Sequence, residues 1–65
     1  MNKGILKRIG FECMLLRMKL HWTQREVAED LHCSPSSISR FESGNNDSAT
    51  ILMWYMRHGL EWRDL

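Results

Sequence analysis

Residues 32–44 read HCSPSSISRFESG and put five serines, one proline, one arginine and a closing glycine into thirteen positions. Two kinds of chemistry can be asked of that set. A serine beside an oriented base would be a nucleophile. The three histidines and the acids of the chain show no such arrangement, and 65 residues leave no room for a sheltered pocket. Enzyme activity is therefore not expected. An arginine among small polar residues is the other case. Its guanidinium fork matches O6 and N7 of guanine, and small side chains let a helix sink into a major groove. By composition the same stretch could instead be a flexible serine-rich linker.

Spacing decides between the two. Ser34 fits a helix N-cap, and Pro35 falls at the first helical position, where its missing N–H costs nothing. Gly44 is a stop signal. Ile38 and Phe41 then point inward, which leaves Ser36, Ser37, Ser39 and Arg40 on or near the outer face. Just upstream, TQREVAEDL opens with Thr23 as N-cap and Glu26 completing a capping box. Val27, Ala28 and Leu31 form the inward face of that helix, and Ala28 is small enough for a close crossing. About three residues separate the two helices, which forces a sharp turn. The pair is a helix-turn-helix over about residues 23–43, and the later helix is the one that would enter a groove.

The flanks supply more helices. The spacing predicts a first helix from Lys3 to Lys19, with Ile5, Ile9, Cys13, Leu16 and Leu20 as its apolar stripe. Phe11, Met14, Leu15 and Met18 lie largely outside that stripe. NNDS is a loop, Asp47 or Ser48 caps a fourth helix over Ala49 to His58, and Gly59 ends it. Ile51, Leu52 and Tyr55 share one face of it, while Met53, Trp54 and Met56 occupy much of the rest. LEWRDL adds a final turn or two, with Trp62 and Leu65 packing back. Scarce glycine and proline and the absence of β-branched runs make the chain all-α, one domain over residues 1–65.

The formal net charge is only +1, but it is uneven. Lys3, Lys7, Arg8, Arg17 and Lys19 face Glu12 alone in the first nineteen residues. Such a basic end permits nucleic-acid binding without announcing it. Lys3, Lys7 and Arg8 read equally as solubilising surface or as phosphate contacts. Cys13 and Cys33 read as reduced thiols of a cytoplasmic protein. No apolar run approaches a membrane span, and no signal peptide is evident. Cys13, His21, His32 and Cys33 do not have the spacing of a zinc site, so neither metal nor cofactor is expected.

TQREVAEDLHCSPSSISRFESG resembles the helix-turn-helix of the Cro–repressor class, or XRE family, of phage and bacterial regulators. The match runs through Thr23, Gln24, Ala28, Leu31, Ser34, Ile38, Ser39, Phe41, Glu42 and Gly44. Upstream it continues through Ile9, Gly10, Leu16 and Arg17, and GLEWRDL looks like a variant of the family's closing segment. The resemblance implies a four- to five-helix, lambda-repressor-like domain that binds double-stranded DNA and regulates transcription, as a homodimeric repressor.

It also implies roles. Thr23, Gln24 and Arg25 would meet phosphate at a helix N-terminus. Ser34, Pro35, Ser36, Ser37, Ser39 and Arg40 would lie nearest DNA, with Ser36 and Arg40 on base edges. Ser43, Asn45 and Asn46 would meet the backbone beyond the groove. Arg17 and Glu42 match an internal ion pair. Departures stand out as well. Pro35 replaces a residue that reads a base in many relatives, and His32 and His21 replace usual glycines. The loop after Gly44 carries no lysine or arginine and contains Asp47.

Spare apolar residues at Phe11, Met14, Met18, Met53, Trp54 and Met56 are expected to form a self-association surface. Two rival readings are kept. One is a DNA-binding antitoxin, whose apolar surface would meet a toxin. The other is a protein-interaction module that has kept the fold without DNA binding.

Overall fold

The computed structural model describes residues 2–65. Four α-helices follow in order: α1 (Lys3–Lys19), α2 (Gln24–Leu31), α3 (Pro35–Glu42) and α4 (Ala49–Arg57). A 3-10 turn over Trp62–Asp64 comes last. Among the described residues there is no strand, and the fold is the all-α, lambda-repressor-like arrangement expected from the sequence.

Local chemistry sets the helix boundaries. Each α-helix begins at a side-chain cap: Asn2 for α1, Thr23 for α2, Ser34 for α3 and Ser48 for α4. At α2 the capping box is complete. Glu26 N donates to Thr23 Oγ1 at 3.0 Å, and Thr23 N donates to Glu26 Oε1 at 2.9 Å.

The four C-terminal ends share one closure, in which a residue at positive φ turns the chain and the next amide reaches back five residues. Trp22 N donates to Arg17 O at 3.0 Å, Cys33 N to Ala28 O at 2.9 Å, Asn45 N to Arg40 O at 2.8 Å and Leu60 N to Tyr55 O at 3.0 Å. Gly44 and Gly59 occupy two of the turning positions. His21 (φ 62°) and His32 (φ 57°) occupy the other two, in the left-handed region expected of residues standing where glycine is usual.

One core holds the helices together. It contains Cys13 from α1, Val27 and Ala28 from α2, Ile38 and Phe41 from α3, and Ile51, Trp54 and Tyr55 from α4, closed by Leu60. Gly10 lets α1 touch α3. A Cβ there would stand 2.4 Å from Phe41 O and 2.5 Å from Glu42 O, so the backbones of the two helices meet at that point.

Three packing expectations are corrected. The α1 stripe is buried only in its middle, and Ile5 and Leu20 are exposed. α1 has 17 residues and α3 has 8, so the ends of α1 run past what the shorter helices cover. Trp54 is core rather than surface, at 4% exposure. Its face of α4 also carries Ile51, Tyr55 and His58. The indole Nε1–H donates to Asp30 Oδ2 at 2.6 Å, so burying it strands no polar atom. Trp62 stands 74% exposed and does not pack back, while Leu65 does.

Candidate nucleic-acid interface

The candidate interface centres on α3. Ile38 is wholly buried and Phe41 nearly so. Phe41 stacks on Tyr55 with ring centroids 5.9 Å apart. Those two anchors fix the rotation of the helix. Helical periodicity then places Ser36, Ser39, Arg40 and Ser43 on one solvent-facing strip, and all four are exposed. The Arg40 side chain makes no hydrogen bond or ion pair among the described residues.

The serines at the start of α3 are tied to one another. Ser34 Oγ lies 3.0 Å from both Ser36 Oγ and Ser37 Oγ and accepts from Ser37 N at 3.3 Å. Hydroxyls can exchange such bonds for outside partners, because each both donates and accepts. Pro35 is exposed beside them.

The C-terminal end of α3 is locked by Glu42. Arg17 donates to it twice, Nε to Oε2 at 2.8 Å and Nη2 to Oε1 at 3.1 Å. Gln24 Nε2 donates to Oε1 at 3.0 Å, and Tyr55 Oη–H donates to Oε2. Donors from α1, α2 and α4 therefore converge on one buried carboxylate of α3. Burial opposes ionisation of Glu42, but the hydrogen bonds from Arg17, Tyr55 and Gln24, with the Arg17 charge, hold its carboxyl below the usual range. Burial and the same carboxylate push the Tyr55 hydroxyl well above its usual value. Arg17 Nη1 also donates to Trp22 O at 2.8 Å, which pins the turn before α2.

Several residues expected at phosphates already have partners within the protein. One N–H of the Gln24 side chain is committed to Glu42. The backbone amides of Gln24 and Arg25, in the first turn of α2, still lack intrahelical acceptors. Arg25 is exposed and pairs with Glu29 at 3.3 Å, an i,i+4 contact that water screens. Ser43 Oγ donates back to Ser39 O and Arg40 O, Asn45 Nδ2 donates to Ser43 Oγ at 3.2 Å, and Asn46 Nδ2 to Ser37 O at 3.5 Å. The loop after α3 thus spends its side-chain amides on holding its own shape.

The apolar surface differs from the expected set. Phe11, Met18 and Met53 are exposed, at 51%, 56% and 60%. Met14 and Met56 are only partly so, and Trp54 belongs to the core. Leu15, missed in that set, is 44% exposed. Phe11, Leu15 and Met18 recur at i, i+4 and i+7, so they form one continuous stripe on α1, a spacing the sequence displays. A shallow hollow of about 350 Å³ beside Leu15 is walled by Leu16, Lys19, Leu60 and acidic residues and holds no serine, cysteine or histidine.

The chain matches the sequence profile of the helix-turn-helix family over residues 14–54, which include α2, the turn, α3 and most of α4. The chain belongs to the helix-turn-helix family. The chain thereby agrees with the Cro–repressor resemblance of its residues. Among curated proteins it is similar to the competence pilus inhibition repressor of Acinetobacter baylyi, at 35% identity over 48 residues. Those residues are 74% of this chain and 44% of that protein, so the chain spans less than half of the relative it matches. No solved structure matches the chain significantly.

Proposed function

We propose that this protein is a sequence-specific, double-stranded DNA-binding repressor that acts as a homodimer in the cytoplasm. The observation that carries the reading is Arg40. It stands free on the exposed strip of a helix whose opposite face is locked by Ile38 and Phe41. A helix anchored on its inner face, with a guanidinium unpaired among the described residues between Ser36, Ser39 and Ser43, suits bidentate recognition of guanine. The first-turn amides of α2, with Thr23, Gln24 and Arg25, would take a phosphate. Ser34, Pro35 and Ser37 would line the entry of α3 into the groove. The name of the Acinetobacter relative, a repressor, agrees with this direction of control. One 8-residue helix covers too few base pairs for useful specificity, which favours a two-fold pair on half-sites about one DNA turn apart.

Selection of bound duplexes from a random pool, followed by anisotropy titration, tests the reading. The protein enriches a defined sequence with affinity falling steeply with salt, and Arg40→Ala erases the preference while leaving weak general binding. Absence of duplex binding at low salt refutes it. In that event the exposed α1 stripe would favour a protein-interaction module, or an antitoxin-like partner of another protein.

A further inference from the structure

The loop after α3 cannot neutralise DNA in the way its position suggests. Residues 44–48 read GNNDS, with no cation and one acid. Asn45 and Asn46 direct their side-chain amides at Ser43 and Ser37. A cation from another element stands beside this loop. Lys7 lies directly against Gly44: a Cβ on Gly44 would stand 2.7 Å from Lys7 Cγ and 2.8 Å from Lys7 Cα. Gly44, at φ 84°, follows the C-cap Ser43, the last residue of the exposed strip that carries Ser36 and Arg40. Lys3 is one turn earlier on the same side of α1.

We infer that Lys7, supported by Lys3, is a DNA phosphate-contacting site that replaces the missing charge of the loop after α3. This rests on the DNA-binding reading above. An eight-residue helix is about 12 Å long, close to the width of the major groove, so a cation just past its end meets a phosphate wall. Lys7 and Lys3 make no ion pair among the described residues, and both are exposed. Arg8 is different, because its Nε is spent on Leu65 O at 2.9 Å. Gly10 fixes the arrangement, since backbone contact between α1 and the end of α3 leaves Lys7 no freedom to leave this flank. The competing role for Lys7 is to complement the negative C-terminal end of α3, which would stabilise the fold and leave DNA untouched.

A mixed-sequence duplex of about two helical turns is a sufficient probe, because phosphate contacts do not depend on sequence. Binding is titrated across a salt series for the wild type, Lys7→Gln, Lys7→Arg and Arg40→Ala, with thermal melts of each. Glutamine keeps the stem that packs on Gly44. The expected result is that Lys7→Gln weakens binding about eightfold at 0.1 M salt and flattens the log–log slope by about 0.9, one phosphate's worth. Lys7→Arg restores both, and the melts coincide. Unchanged slope and affinity in Lys7→Gln overturn the inference, whether or not its melt shifts. If the wild type binds while only Arg40→Ala is affected, the inference alone fails. If the wild type does not bind, the DNA reading fails with it.

Discussion

Arg17 and Glu42, 25 positions apart in the chain, meet in a two-pronged ion pair that ties α1 to the last residue of α3. The pair is largely withdrawn from water, at 12% and 4% side-chain exposure. Its consequence is positional. Donors from α1, α2 and α4 hold the end of α3, and with it the strip carrying Arg40, in the orientation described.

Replacing Arg17 with methionine keeps the stem and removes the charge. The Glu42 carboxylate then loses two of its four donors in a buried setting. Such broken pairs cost about 3–5 kcal/mol, and the remaining bonds from Gln24 and Tyr55 place the expected loss near about 3 kcal/mol. Urea denaturation of Arg17→Met measures it. A loss below about 1 kcal/mol would mean that the pair behaves as a solvated surface contact.

Acid and alkali should both weaken the fold, for separate reasons. The Glu42 carboxyl titrates below its ordinary value in the folded state. Its ionised form therefore contributes stability above the ordinary carboxylate range, and this is lost as pH falls through the folded value. The Cys13 thiol is pushed up to about 12, by burial first and then by the Glu42 and Glu12 charges, against an ordinary value of 9.0. Its neutral form contributes stability fully below pH 9.0, and that contribution declines as pH rises from there through about 12. Tyr55 acts in the same alkaline direction. Melting temperature against pH should form a plateau with both edges, and Glu42→Gln should remove most of the acid edge.

His32 turns the chain between α2 and α3 at φ 57° and ψ 43°. A left-handed residue with a Cβ costs about 1–2 kcal/mol, and glycine avoids this strain at the expense of unfolded-state entropy. His32→Gly should therefore be more stable than His32→Ala by about 1 kcal/mol, with His32→Val lower than both. Denaturation midpoints rank the three. An alanine variant as stable as the glycine variant would show that the turn carries no strain.

The exposed stripe of Phe11, Leu15 and Met18 is the surface on which the proposed homodimer is tested. Leu15→Glu should weaken a homodimer by at least tenfold without lowering the melting point of the monomer, because Leu15 lies outside the core. Sedimentation equilibrium over a concentration series reads this directly. Equal masses for wild type and variant at all concentrations would exclude the stripe as a dimer surface. Met53→Glu serves as a comparison on a different helix.

Much of this was legible in the sequence, because helix ends are local chemistry. Thr23 with Glu26, Ser34 with Pro35, and Gly44 fix the bounds of α2 and α3 through bonds spanning three to five residues. Ile38 and Phe41 set the inward face of α3 by periodicity alone, which leaves Arg40 outside. The resemblance carried Arg17 and Glu42 to one another. What the sequence could not decide was the competition among apolar residues for a small core. Met53, Trp54 and Met56 all lie off the face of Ile51, Leu52 and Tyr55 on a wheel, and Trp54 went inside because Asp30 of α2 was there to accept its N–H and Trp22 to pack on its edge. Gly10 reads locally as a weak helix former, and only the crossing of α1 over the Phe41 and Glu42 carbonyls gives it a purpose. Gln24 and the loop asparagines carry the residue types of phosphate ligands, yet Gln24 also reaches the buried Glu42, and Asn45 and Asn46 reach Ser43 and Ser37. Hydrogen-bond partners distant in sequence are a property of packing, and packing is what only the tertiary structure supplies.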